Sequence, residues 1–227
     1  MNYKIRINEV NKEDSKTKAY ATVVFGDSLV VRNIAIVERK DGNGVFVSMP
    51  SQKTKEVDEN NNSVYKDICN PITAEFQQEF TGFILKAYEM KKEGSLEKEG
   101  LSVGSGEERL PFKVRVTPYE REGSNIRGFA SVYLNDSFVV GSISIINGRN
   151  GEFVSMPAYK ASNKAKGGES AYHDIVYPIT KEFREQLYGE IINTYHEKKQ
   201  EKAQAVKDAM KSEIRPVQEL EENTPFR

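Results

Sequence analysis

Six lysines and one tyrosine are the residues of this chain whose types and spacing point to chemistry. Lys53, Lys55 and Lys66 follow one occurrence of Phe-Val-Ser-Met-Pro, and Tyr159, Lys160, Lys164 and Lys166 follow a second. Lysine ammonium groups in polar loops can donate to phosphate oxygens, and each such contact adds affinity by releasing a counterion. A tyrosine beside them offers a ring on which an unpaired base can stack. The plainer account is a pair of solvated loops that use lysine for solubility. Asn60, Asn61, Asn62 and Asn163 carry little weight as readers of base edges, since asparagine is an ordinary loop residue.

Catalysis can be tested inside the chain, because a duplicated active site would duplicate its residues. Cys69 aligns with Val176, His173 with Lys66 and His196 with Glu89, so no nucleophile and base recur together. One cysteine and two histidines supply neither a disulfide framework nor a multi-cysteine metal site. No glycine-rich phosphate loop follows a strand. The reading is a protein that is not an enzyme, with no catalytic residue, metal or cofactor.

These equivalences follow from an internal repeat. Phe46 to Pro50 recurs as Phe153 to Pro157, and Asp67-Ile68-Cys69-Asn70-Pro71-Ile72-Thr73 as Asp174-Ile175-Val176-Tyr177-Pro178-Ile179-Thr180, both at an offset of 107. Upstream the offset is 109: Lys4-Ile5-Arg6-Ile7 matches Lys113-Val114-Arg115-Val116, and Asp27 to Val31 matches Asp136 to Val140. The two-residue difference falls in a glycine-rich turn, where a surface loop tolerates it. Residues 1–92 and 111–199 are therefore expected to be two modules. Residues 93–110 read as a flexible, acidic Gly/Ser/Glu linker, and 200–227 as a helical extension and disordered tail.

Composition sets the remaining bounds. Among 227 residues, 37% are hydrophobic and 30% charged, enough apolar content for small cores. The formal net charge of −1 gives no global pull toward nucleic acid, so the placement of charge must decide. Acid excess lies in the linker and tail, leaving each copy faintly basic. No apolar run is long enough to span a bilayer and the first residues lack a signal-peptide pattern, so no membrane partner and a cytoplasmic location are expected.

Each copy has the pattern of strands followed by one helix. Tyr20 to Phe25 and Leu29 to Val37 are β-branched or aromatic runs. Gly26-Asp27 and Asn135-Asp136 between such runs suit tight hairpin turns, so an antiparallel meander is predicted. Thr73 and Thr180 are placed to cap helices with Glu75 and Glu182 in the first turn. Phe76, Phe80, Phe83, Ile84 and Tyr88, and in the second copy Phe183, Leu187, Ile191 and Tyr195, follow at helical spacing. The first helix should stop near Gly94, whereas the second meets no breaker before Pro216 and runs on as a charged extension. The segments Ser51–Lys66 and Ala158–His173, rich in Asn, Lys, Ser and Gly, are expected to be mobile loops.

The ordered set of motifs resembles the SpoVG (stage V sporulation protein G, septation regulator) family of bacteria. It comprises Lys-x-Arg in the first strand, Asp-Ser-Leu/Phe-Val-Val, Phe-Val-Ser-Met-Pro, and Asp-Ile-x-x-Pro-Ile-Thr before the helix. The likeness covers both copies, roughly four fifths of the chain. It implies small sheet-plus-helix modules that pair through their sheets, and regulators of septation or sporulation genes that bind DNA or RNA. Three departures stand out: the tandem arrangement, the longer segment after Met-Pro, and Gln52-Lys53 and Tyr159-Lys160 where the family carries Lys-Arg. Losing arginine there should weaken binding.

The expected architecture is thus α+β, with two modules paired as an intramolecular pseudo-dimer across a tether of about 23 Å root-mean-square reach. Exchange between two chains is the other arrangement. The expected partner is DNA or RNA. The rival is a protein-interaction module acting through the C-terminal helix, where Ala203, Val206, Ala209 and Met210 form a thin apolar stripe.

Overall fold

The structure is a computed structural model describing residues 1–12, 14–104, 109–164 and 170–213, with side chains described except at 161–164, 170–171 and 211–213. The chain is α+β and its strand pairs are antiparallel. In the first copy β1 (Tyr3–Glu9), β2 (Thr17–Phe25), β3 (Leu29–Glu38) and β4 (Val45–Ser48) form a meander. The second copy repeats it as β9 (Phe112–Pro118), β10 (Ile126–Leu134), β11 (Phe138–Gly148) and β12 (Gly151–Ser155). The β2–β3 turn places Gly26 and Asp27 at φ 51° and 48°, and the β10–β11 turn places Asn135 and Asp136 at φ 47° and 49°. These are the residue types that tolerate two successive left-handed positions.

Alternation within the strands decides which face is covered. Ile5, Ile7, Ala19, Ala21, Val23 and Phe25 point to one side of the first sheet and are buried, while Lys4, Arg6, Tyr20 and Thr22 occupy the other. Helix α1 (Ala74–Lys92) covers the buried side with Phe76, Phe80, Ile84 and Ala87. Helix α2 (Lys181–Glu213) does the same for the second sheet with Phe183, Leu187, Ile191 and Tyr195. Both caps form as the sequence predicts: Thr73 Oγ1 accepts from the Phe76 amide at 3.2 Å, and Thr180 Oγ1 from the Phe183 amide at 3.3 Å. Helix α1 ends in a Schellman motif, with Gly94 at φ 76° and the Ser95 amide donating to the Met90 carbonyl at 2.9 Å. Helix α2 continues past Lys198, as the lack of a breaker predicts; the tail from 214 onward lies outside the described residues.

Two three-residue strands tie the copies together. β7 (Cys69–Pro71) of the first copy pairs with Phe138–Val140 of β11, and β15 (Val176–Pro178) of the second pairs with Leu29–Val31 of β3. Further bonds bracket each exchange: the Gly141 amide donates to the Ile68 carbonyl at 2.7 Å and the Arg32 amide to the Ile175 carbonyl at 2.8 Å. A bulge makes room for the guest strand. Asn33 and Ser142, equivalent positions in β3 and β11, sit at φ 62° and 56°, between the part of the strand that pairs across copies and the part that pairs with β4 or β12. The buried side chains of both copies form one cluster, with Phe138 packed against Phe25 and Phe80.

The connector differs from a free tether. β8 (Leu101–Val103) adds to the edge of the first sheet opposite Tyr3–Ile5, and Leu110 is buried. Its glycines serve close approach: at Gly100, φ +92°, an added Cβ would stand 2.2 Å from the Ile5 carbonyl oxygen. Residues 105–108 lie outside the described part.

Candidate nucleic-acid interface

The segments expected to be loops are hairpins. β5 (Ser51–Val57) pairs with β6 (Ser63–Asp67), and β13 (Ala158–Lys164) with β14 (Ser170–Asp174). Composition concealed this because the arms have little apolar face to bury; Thr54, Val57, Val64 and Tyr65 carry the β-propensity instead. In the first arm a bulge lies between Lys53 and Val57, where Thr54 Oγ1 donates to the Val64 carbonyl at 3.0 Å. The turn is held by Asp58, whose carboxylate accepts from the Asn60 amide at 2.9 Å, the Asn62 amide at 2.7 Å and Asn62 Nδ2 at 3.1 Å. Hydrogen bonds from the Asn62 backbone and side chain hold this carboxyl below its ordinary value. Asn62 therefore spends its side-chain donor on the turn and Asn60 its backbone amide, which favours the plain reading of Asn62.

Pairing register sorts the expected site residues onto two faces of each arm. Lys53 stands opposite Tyr65 and Lys160 opposite Tyr172, on equivalent faces of the two arms. Both tyrosines are exposed, at 63% and 67%. Gln52 opposite Lys66, and Tyr159 opposite His173, occupy the other faces. Tyr159 is spent partly within its arm, its ring 5.6 Å from that of His173. Lys55 is exposed in the bulged part of β5. Lys164 lies in β13 opposite Ser170 with its side chain undescribed, and Lys166 lies outside the described residues. Tyr65 and Tyr172 were absent from the sequence expectation, although their recurrence at offset 107 was the signal that could have found them.

The second face of the first arm looks onto the other copy. Gln52 Nε2 donates to Ser142 Oγ at 2.8 Å, closing one end of a cleft of about 690 Å³ between the arm and the outer face of the second sheet. Lys66, Asn70, Arg115, Phe129 and Gly141 are among its walls. Arg115 belongs to the Lys-x-Arg motif of the first strand, whose outward direction follows from alternation with Val114 and Val116.

Other candidates for chemistry stand apart. Cys69 is fully buried and its thiol is pushed up by burial, which makes a thiolate costly. His173 is on β14 and His196 on α2, where its Nε2 lies 3.2 Å from a Glu152 carboxylate oxygen. Among the described residues no three of His, Cys, Asp and Glu come together as metal ligands. No described helix is long and apolar enough to cross a membrane.

Comparison with known proteins follows the repeat. A family model described as SpoVG matches residues 1–90 and again 111–197. A relative from Treponema denticola, named "Putative septation protein SpoVG", is 36% identical over 85 residues, which cover 37% of this chain and 82% of the relative. Relatives of the same name from Borrelia hermsii and Acholeplasma laidlawii are 39% identical over 97 residues and 38% over 84, covering 93% and 80% of their own lengths. Each match therefore spans about one copy of this chain.

Proposed function

Because this chain belongs to the SpoVG family along both of its copies, we propose that it is a nucleic-acid-binding regulator of the septation type in which one chain does the work of a pair. The reciprocal exchange of β7 and β15 supports reading the two copies as an intramolecular pseudo-dimer. A lone small sheet must protect its edges, and the guest strands occupy part of them.

The observation that carries the nucleic-acid reading is the recurrence of one lysine–tyrosine pair at the same place on two projecting arms, Lys53 with Tyr65 and Lys160 with Tyr172. A cation and an exposed ring on one face suit a phosphate and the sugar or base beside it. Lys55, Lys66, Lys164 and Lys166 add charge along the arms, for DNA or RNA alike. The setting is cytoplasmic, and the outcome is altered expression of septation or sporulation genes.

The test is a fluorescence-anisotropy titration with duplex DNA and single-stranded RNA at two salt concentrations, beside the variant Lys53→Glu, Lys55→Glu, Lys160→Glu and Lys164→Glu. About four phosphate contacts give a log–log salt slope near −3 to −4 on duplex DNA, which the variant should lose. Equal binding by both proteins removes the arms from the interface.

A second reading has its own observation. Helix α2 runs on to Glu213 with Val206 and Met210 exposed at 47% and 60%, an apolar stripe suited to a protein partner. Absence of any nucleic-acid binding, together with a partner lost on substituting Val206 and Met210, would favour it.

A further inference from the structure

The repeat lets each surface be compared with its own counterpart, and one pair of counterparts differs. On the second sheet the cleft beneath the first arm is floored by Gly141 and Asn70. At the equivalent positions of the first sheet stand Arg32 and Tyr177, the guanidinium carbon 4.8 Å from the ring centroid. This stack stands over the place that corresponds to the open cleft, with Tyr177 half-buried and Arg32 exposed. Val30 beneath it is 5% exposed, whereas its equivalent Val139 is half-buried and lines the open cleft. Arg6, the equivalent of Arg115, is held by the Glu99 carbonyl at 3.4 Å, a bond that Arg115 does not make among the described residues.

The open cleft has the parts an unpaired nucleotide requires. Phe129 is 41% exposed on its wall, with Tyr119 edge-on at 5.3 Å to fix the ring. Lys66 and Arg115 supply two cations against one carboxylate, Asp67, and Asn70 and Gln52 supply amides able to donate and accept. The volume of about 690 Å³ is in the range of sites for small organic groups. Base stacking with a flanking cation is how single strands are held. We propose that this chain binds single-stranded nucleic acid one-sidedly, taking an unpaired nucleotide into the cleft between the first arm and the second sheet while the Arg32–Tyr177 stack closes the equivalent place.

The inference rests on the nucleic-acid reading above and shares Lys66 with it, but the residues substituted to test it, Phe129 and Arg115, lie outside the arms, so the two can fail separately. The experiment titrates the full chain with short fluorescein-labelled oligothymidine and oligouridine, and with duplex DNA, by anisotropy and by stoichiometry. Phe129→Ala and Arg115→Ala are each expected to weaken single-strand binding about tenfold, the scale of one stacked base or one lost cation. Tyr20→Ala, at the equivalent of Phe129, should leave it unchanged. The double variant Gly141→Arg with Asn70→Tyr copies the plug of the other sheet and should abolish single-strand binding; a Cβ at Gly141 meets nothing nearer than 3.6 Å. Phe129→Ala and Arg115→Ala leave the exchanged strands untouched, so the result survives if the double variant does not fold. With the arm pairs removed by Lys53→Ala and Lys160→Ala, a stoichiometry of one oligonucleotide per chain is expected, and two would overturn one-sidedness. Unchanged single-strand affinity in Phe129→Ala and Arg115→Ala, with duplex binding still dependent on the arm lysines, overturns the cleft and leaves the arms standing. No binding of any nucleic acid overturns both.

Discussion

The rings of Phe25 and Phe138 lie 4.9 Å apart although the residues belong to different copies, and Phe80 of α1 completes the cluster at 5.9 Å and 5.6 Å. All three are fully buried. The copies therefore share a core, and removing Phe138 from the second should open a cavity beneath the helix of the first. Phe138→Ala is expected to cost about 3–5 kcal/mol and to lower the stability of both copies in one transition. Urea denaturation followed by circular dichroism, needed because the chain has no tryptophan, checks this. Two separated transitions, only one of them shifted, would show independent cores.

If the strand exchange closes within one chain, the particle in solution should have the mass of one chain, 25.7 kDa. Light scattering behind size exclusion measures it directly. A doubled mass that depends on concentration would place β7 and β15 in the sheets of a second molecule.

Gly100 couples the connector to the first sheet. Its left-handed backbone and the nearness of the Ile5 carbonyl leave no room for a side chain. Gly100→Ala should cost about 1–3 kcal/mol locally, detaching β8 from β1. Hydrogen exchange checks it: the Leu101–Val103 segment should lose protection while the β2–β3 ladder keeps it.

Which parts of this structure can be read from the residues follows from how local their causes are. The Gly26-Asp27 and Asn135-Asp136 turns, the Thr73 and Thr180 caps and the apolar helix faces are decided within a few residues, and the structure has them where the pattern places them. The exchange of β7 and β15 is decided by partners some seventy to a hundred and fifty residues away, through segments of three residues with no periodicity to detect. The arms were hidden for another reason: their strands are stabilised across the hairpin, and composition alone reads Asn, Lys and Ser as loop. The connector misled in the same way, since glycine marks close backbone approach as readily as flexibility. On the arms the lysines are legible as a recurrent charge cluster. Their division into two faces is not, because it depends on register.

The Asp58 turn gives the first arm a dependence on acidity. Its carboxyl is held below the ordinary value, chiefly by the Asn62 backbone amide, so its contribution is present above the unfolded aspartate value of about 3.9 and is lost as pH falls through the lower folded value. Amide exchange at Asn60 and Asn62 should therefore stay protected at neutral pH and open only as pH falls through that lowered value, before the core responds. Asp58→Ala should show the open turn at every pH.

Lysine and tyrosine share one face of each arm but contribute charge and stacking separately, so substituting them in turn distinguishes the two. Lys53→Ala with Lys160→Ala removes two cations that the hairpin register places at equivalent positions. On duplex DNA this should shallow the log–log salt slope by about two, roughly one for each phosphate contact, and weaken binding alike for all sequences. Tyr65→Ala with Tyr172→Ala leaves the charge unchanged, so the slope should hold while affinity at fixed salt falls by the loss of ring contacts. Anisotropy titrations across a salt series read both quantities at once. If the tyrosine pair changes the slope, or the lysine pair changes affinity without changing it, then the cations are not on phosphates and the lysine–tyrosine face is not where nucleic acid lies.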